Sequence, residues 1–174
     1  LDNGVLVTDL LDEDLGNYVD LTQLSADADL VGELRVLNSR HGSALPRLWQ
    51  LVVEFDENDH WGSGPAIWLE AGIAGPRGAL IWVEHGRVFI PAVGRHRLRD
   101  DHDWLSYLDW SGTPCGVRGA ASIPVEQVFA AAREVVSTRR RPTVVDLTEV
   151  DADRFEIVGP RQEHHADSAF HRTA

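Results

Sequence analysis

Ala79-Leu-Ile-Trp-Val-Glu-His-Gly-Arg-Val-Phe-Ile-Pro91 is the stretch on which the fold turns. Ala79 to Glu84 reads as a strand, and Glu84-His-Gly-Arg87 is short enough to close a hairpin onto a second strand, Val88 to Pro91. A connection that tight makes the two strands antiparallel. Upstream, Ala66 to Glu70 reads as another strand, and between it and the hairpin Ala71 to Gly78 holds three glycines and Pro76, which predicts a loop. Before that, Glu54 to Gly62 is a polar, acidic turn, and Trp49, Leu51, Val53 and Phe55 alternate with Gln50, Val52 and Glu54. That two-residue period predicts a strand with one buried face. Downstream, Trp104 to Trp110 places Trp104, Ser106, Leu108 and Trp110 on one face and Leu105, Tyr107 and Asp109 on the other. Ser111 to Pro114 turns the chain, Cys115 to Val117 pairs back, and Thr143 to Leu147 supplies a final strand.

Two helices flank these strands. Leu30, Val31, Leu34 and Leu37 recur at helical spacing behind Asp27, a residue type suited to an N-cap, and the helix is expected to end near Asn38. The second opens at Pro124, where a missing N–H costs nothing. Its apolar face is Val125, Val128, Phe129, Ala132, Val135 and Val136, with Glu126 in the first turn and Arg139, Arg140 and Arg141 beyond the last. The expected fold is α+β: an antiparallel, mostly meandering β-sheet of about five to seven strands with two helices packed on one face. Residues 1–24 read as an acidic arm or edge strand, 25–158 as one domain, and 159–174 as a polar, His-rich mobile tail.

Composition fits this outline. A chain of 174 residues with six Trp and 43% hydrophobic residues can bury one continuous core. The longest apolar run, Ala79 to Val83, is far short of the roughly 18–20 residues that cross a bilayer, so no membrane partner is expected. Asp2 and Asp9 stand where a signal peptide would carry Lys or Arg, which points to the cytoplasm. The chain has no Met and begins at Leu1, so residues are expected to precede it. The single cysteine, Cys115, can form neither an intrachain disulfide nor a thiolate zinc cluster. A net charge of −12 repels phosphate backbones and favours basic surfaces, so nucleic acid is not the expected direct ligand. The acidity is uneven: residues 1–34 hold nine acids and no base, and the remainder holds 19 acids against 16 Arg.

A catalytic reading begins with Cys115, whose thiol would need a neighbouring His such as His85, His96 or His102 to become a nucleophile. A lone Cys in a β-rich segment is more often a small core residue. His164, His165 and His171, with Glu163, lack the i, i+4 geometry of a helical metal site, so no metal and no cofactor is implied. The glycine-rich stretches lack the Gly-Lys-Ser/Thr of a phosphate loop. Asp56, Glu57 and Asp59 lack the Gly and the closing Glu of a calcium loop. Such acids are most often solvated, and their next use is complementarity to a basic partner. His60 and Trp61 beside them resemble an aromatic anchor in an acidic rim. The candidate partner-binding residues are Asp56, Glu57, Asp59, His60 and Trp61, with Asp100, Asp101 and Asp103 second. The alternatives are a small cysteine- or carboxylate-dependent enzyme and a regulatory module with another protein partner.

The order of elements adds a resemblance. Gly78-Ala-Leu-Ile-Trp82, Pro91, Trp104-Leu-Ser-Tyr-Leu-Asp-Trp110, a strand-turn ending in Gly119, Ile123-Pro-Val-Glu126 and Arg141-Pro142-Thr143 follow one another as hallmarks. Over roughly residues 27–147 the chain resembles the immunity proteins of bacterial polymorphic toxin systems, the class that accompanies toxins of the nucleic-acid deaminase fold. Two positions depart from that family: Arg139 follows Thr138 where a Gly is usual, and Asp146 and Leu147 stand where an aromatic often ends the last strand. The resemblance implies a protein without catalysis of its own that binds a cognate toxin, a deaminase-type domain with a basic cleft, and masks its active site.

Overall fold

A computed structural model of the chain describes residues 17–41, 46–56, 65–94, 103–109, 112–152 and 155. The strands are β1 (Tyr18–Asp20), β2 (Arg47–Phe55), β3 (Pro65–Ala74), β4 (Arg77–Glu84), β5 (Arg87–Pro91), β6 (Trp104–Leu108), β7 (Pro114–Arg118), β8 (Ser122–Pro124) and β9 (Leu147–Val150). The helices are α1 (Leu30–His41) and α2 (Val125–Thr138). Seven strands run in the order β7-β6-β2-β3-β4-β5-β9, with β1 added along β2 and β8 along β4. The pairings are antiparallel except β1 with β2 and the single position Arg47↔Leu108 that joins β2 to β6. This is the expected α+β sheet with both helices on one face.

The β4–β5 hairpin forms as expected. Glu84 stands opposite Arg87, and His85 and Gly86 take left-handed φ values of 49° and 79°. Two such residues in succession match the right-handed twist of the strands they join. The glycine-rich stretch does not form a loop. β3 continues to Ala74, only Gly75 and Pro76 turn, and β4 starts at Arg77. The reason is close approach: a Cβ on Gly72 would stand 2.7 Å from the Tyr107 ring, and one on Gly78 would stand 2.4 Å from the carbonyl oxygen of Gly72. Glycine is selected at both positions by what lies against the backbone.

β2 is also covered on both faces, against the expectation of one. Trp49 and Leu51 join the helix-side core with Leu69, Trp82, Phe89, Phe129 and the buried face of α1. Leu48 joins a second core with Ile81, Ile90, Tyr107, Cys115 and Val117. The sheet curls, so that the inner face of the β6–β7 hairpin lies over the second face of the central strands. That curl is possible because β6 meets β2 at one register position only. Asn17 fastens the junction: its side-chain amide donates to the carbonyls of Leu108 and Asp109 at 2.9 and 2.8 Å, and its backbone carbonyl accepts from the Gln50 N–H at 2.7 Å. Residues 17–24 thus belong to the body, with Val19, Leu21 and Leu24 in the helix-side core.

The helix ends show how local chemistry sets boundaries. Asp29 caps α1, its carboxylate accepting from the Gly32 N–H at 2.9 Å, where Asp27 had been expected; Asp27 bonds Ser25 instead. Pro124 is the residue before α2, and the N–H of Val125 is satisfied by the carbonyl of Pro76, which ties the helix start to the β3–β4 turn. All six predicted apolar residues of α2 are buried. Arg139 closes the helix in the left-handed region, φ 56° and ψ 31°, the conformation a Gly would take most easily. Its guanidinium makes up for the missing Gly by donating to the carbonyls of Val136 and Leu24. The last strand starts at Leu147 rather than Thr143. The N–H groups of Thr143 and Val144 donate to the Glu134 carboxylate at 2.8 and 3.0 Å, and so are not available to a ladder.

Candidate functional site

An acidic protein can use its carboxylates to hold itself together or to meet a partner, and their hydrogen bonds separate the two. Many of those described are engaged internally. Asp20 accepts from the Thr22 N–H and the Gln23 amide, and Asp29 caps α1. Glu126 pairs with Arg35 across the two helices, and Glu149 takes Arg87 in a two-point contact across β5 and β9. Both carboxyls are held below the usual range, first by those arginine hydrogen bonds. Glu84 accepts from the Trp82 indole at 3.1 Å and faces Arg141 at 4.0 Å. The Phe89 ring carries the guanidinium groups of Arg141 and Arg87 at 4.4 and 5.1 Å from its centroid.

Of the candidate partner-binding residues, Asp56 and Asp103 are described, and both are exposed. Glu57, Asp59, His60, Trp61, Asp100 and Asp101 lie outside the described residues. The fold sets Asp56 and Asp103 apart. Asp56 follows the C-terminal end of β2, whereas Asp103 precedes β6, whose Leu108 stands opposite Arg47 at the N-terminal end of β2. Asp103 is fixed at its backbone, where its carbonyl accepts from the Gly119 N–H at 2.6 Å.

The thiol considered for catalysis is in the second core. Cys115 is 7% exposed, and burial, followed by the charges of Asp109 and Glu70, pushes its pKa up to about 11. At neutral pH it is a thiol, not the thiolate a nucleophile requires. His85 is exposed at the β4–β5 turn, and His96 and His102 lie outside the described residues. Among the described residues no group of three or more His, Cys, Asp or Glu is placed to hold a metal ion.

Two features were not singled out from the sequence. Glu70, read as the end of a strand, is in the middle of β3 and buried, 7% exposed. One carboxylate oxygen accepts from the Trp68 indole at 3.2 Å, and the other has no hydrogen-bond partner. Desolvation lifts its pKa to about 7, against the Trp68 hydrogen bond that lowers it. In the sequence Glu70 stands directly before the glycine-containing stretch Ala71 to Gly78, which reads as a loop, so no local signal marks its burial. The second feature is the outward face of the β6–β7 hairpin, where Trp104 and Ser106 are exposed while Tyr107 points inward. The alternation over Trp104 to Trp110 separates two faces without telling which is inside.

Compared with known families, residues 20–149 match the sequence model described as immunity protein Imm1. No curated protein matches the chain. Within the described residues no helix is long and apolar enough to cross a membrane.

Proposed function

The chain belongs to the Imm1 family of immunity proteins, and from that premise we propose that it neutralises one cognate toxin, a deaminase-type domain, by covering its active site. The family match over residues 20–149 carries the reading, since it assigns the chain to proteins that act against a toxin. Charge supports the choice of toxin. A deaminase that works on nucleic acid must draw a polyanion into a basic cleft, and an inhibitor of net charge −12 competes for the same field. The protein acts by binding and not by catalysis, in the cytoplasm of the cell it protects. Its Cys115 takes no part, because the thiol is buried and protonated.

Co-expression with the toxin encoded by the adjoining gene tests this directly. Growth is restored, and the two proteins elute together in gel filtration. Continued toxicity with both proteins expressed, or separate elution, overturns the reading.

The proposed contact residues are Asp56, Glu57, Asp59, His60 and Trp61 in the acidic segment that follows β2 in the sequence, with Asp100, Asp101 and Asp103 second. Exposed acids of this kind speed encounter more than they tighten the final complex. Reversing charge in Asp56→Arg and Glu57→Arg together therefore slows association about tenfold at low salt and flattens its dependence on ionic strength. Stopped-flow association rates at two salt concentrations check it, and unchanged rates exclude that segment from the interface.

A further inference from the structure

We propose that the β6–β7 hairpin is a flap latched over the protonated Glu70 carboxyl, and that ionisation of this group releases it.

Alternation along β3 places the latch. Glu70 and Gly72 are two residues apart and share one face of the sheet. A Cβ on Gly72 would stand 2.7 Å from the Tyr107 ring, so that face is the one the hairpin covers. Tyr107 and Cys115 are register partners, point inward together and are 2% and 7% exposed. The Glu70 charge also reaches Cys115, where it helps to raise the thiol pKa. The carboxyl thus lies beneath the paired inner side chains of β6 and β7.

Little in that setting stabilises a negative charge. One oxygen of Glu70 accepts from the Trp68 indole at 3.2 Å, and the other is buried without a hydrogen-bond partner. Its register partners are Gln50 of β2 and Ile81 of β4, neither of them charged. The hairpin presents the Tyr107 hydroxyl and the Cys115 thiol, both with pKa values raised first by burial. Asp109, beyond β6, is a like charge that reaches Cys115. Arg77 of β4 donates to the Ser122 hydroxyl at 3.0 and 2.7 Å, and Arg118 of β7 is on the outward face with Trp104. Burial therefore favours the neutral acid and lifts the Glu70 pKa to about 7.

The flap is lightly fastened. β6 meets β2 at the single position Arg47↔Leu108, and the Leu108 N–H donates to the Pro46 carbonyl at 2.8 Å. The Asn17 amide adds its two bonds to the carbonyls of Leu108 and Asp109. These ties are at the turn end of the hairpin, and from Trp104 to Tyr107 the ladder partner of β6 is β7. Lifting the hairpin breaks few hydrogen bonds and brings water to Glu70, which costs less than unfolding the central sheet. The closed form holds the Glu70 proton more tightly than the open one. The latch is fully set below about pH 4.5, and its hold is lost as pH rises through about 7.

Cys115 is the only thiol in the chain and lies under the flap, so its labelling by a dipyridyl disulfide reads the opening. Full-length wild type and Glu70→Gln are compared at each pH, which cancels the thiolate fraction of the opened state. The ratio of wild-type to variant labelling rates rises about 50-fold from pH 5 to pH 8. The wild-type rate at pH 8 climbs only weakly with urea below the unfolding transition, because opening the flap exposes little surface. A ratio that does not change with pH overturns the latch. A labelling rate that follows the full urea slope of global unfolding overturns it too, since the thiol is then reached only when the whole domain unfolds.

Discussion

Glu70→Gln stabilises the protein at pH 8 by about 3 kcal/mol and leaves it nearly unchanged at pH 4. The carboxyl is buried in the middle of β3, with one oxygen on the Trp68 indole and the other without a hydrogen-bond partner. In the folded chain its pKa is pushed up to about 7 from an ordinary 4.5, because burial disfavours the charged form. A raised carboxyl pKa means that the folded state holds the proton more tightly than the unfolded chain. The associated stability is fully present below about pH 4.5 and is lost as pH rises through about 7. Gln keeps an oxygen for the Trp68 N–H and carries no proton to lose. Urea unfolding of both proteins across pH 4 to 8 reads the effect as a widening gap between them. Parallel curves would show that Glu70 is not buried as a carboxylic acid.

Trp82→Ala costs about 3–5 kcal/mol, a large share of the roughly 5–15 kcal/mol by which a domain of this kind is stable. Trp82 ends the Gly78-Ala-Leu-Ile-Trp stretch that contributed to the family resemblance, and it is 1% exposed. It packs in the helix-side core with Trp49, Leu69, Phe89 and Phe129, and its indole donates to Glu84 at 3.1 Å. Truncation leaves a cavity between sheet and helices that neighbouring strands are too constrained to fill. The Glu84 carboxylate also loses its neutral donor, although Arg141 remains within 4.0 Å. A fall in the urea midpoint with an unchanged slope measures the loss. Loss of protection against the toxin in this variant reports unfolding and not a broken contact. An unchanged midpoint would take Trp82 out of the core.

Trp82 and Trp104 show how much of the packing is legible in the sequence. Both lie in strands, and nothing in the residues next to them distinguishes a core ring from a surface one. Trp82 is inside because α2 and α1 cover its face of the sheet. Trp104 is outside because the hairpin curls so that Tyr107 meets Gly72. The acids were legible as charge but not as roles: Asp20, Asp29, Glu126 and Glu149 are taken up by caps and arginine pairs made after folding.

What the sequence determined by itself is local. The β4–β5 hairpin and α2 depend on contacts within a few residues, a turn of two left-handed positions and an apolar face repeating at i, i+3, i+4 and i+7, so their signals are contained in the segments that form them. What only the tertiary structure decided depends on residues far apart in the chain. Gly72 and Gly78 are strand residues because a ring from β6 and the neighbouring backbone leave no room for a Cβ. β2 has two buried faces because the hairpin after it folds back over the sheet. Thr143 stays out of the last strand because Glu134 takes its N–H, and Glu70 holds its proton to about pH 7 because the second core closes over it. In each of these the same residues would be read differently in another setting, since burial and partner, not residue type, set the free energy.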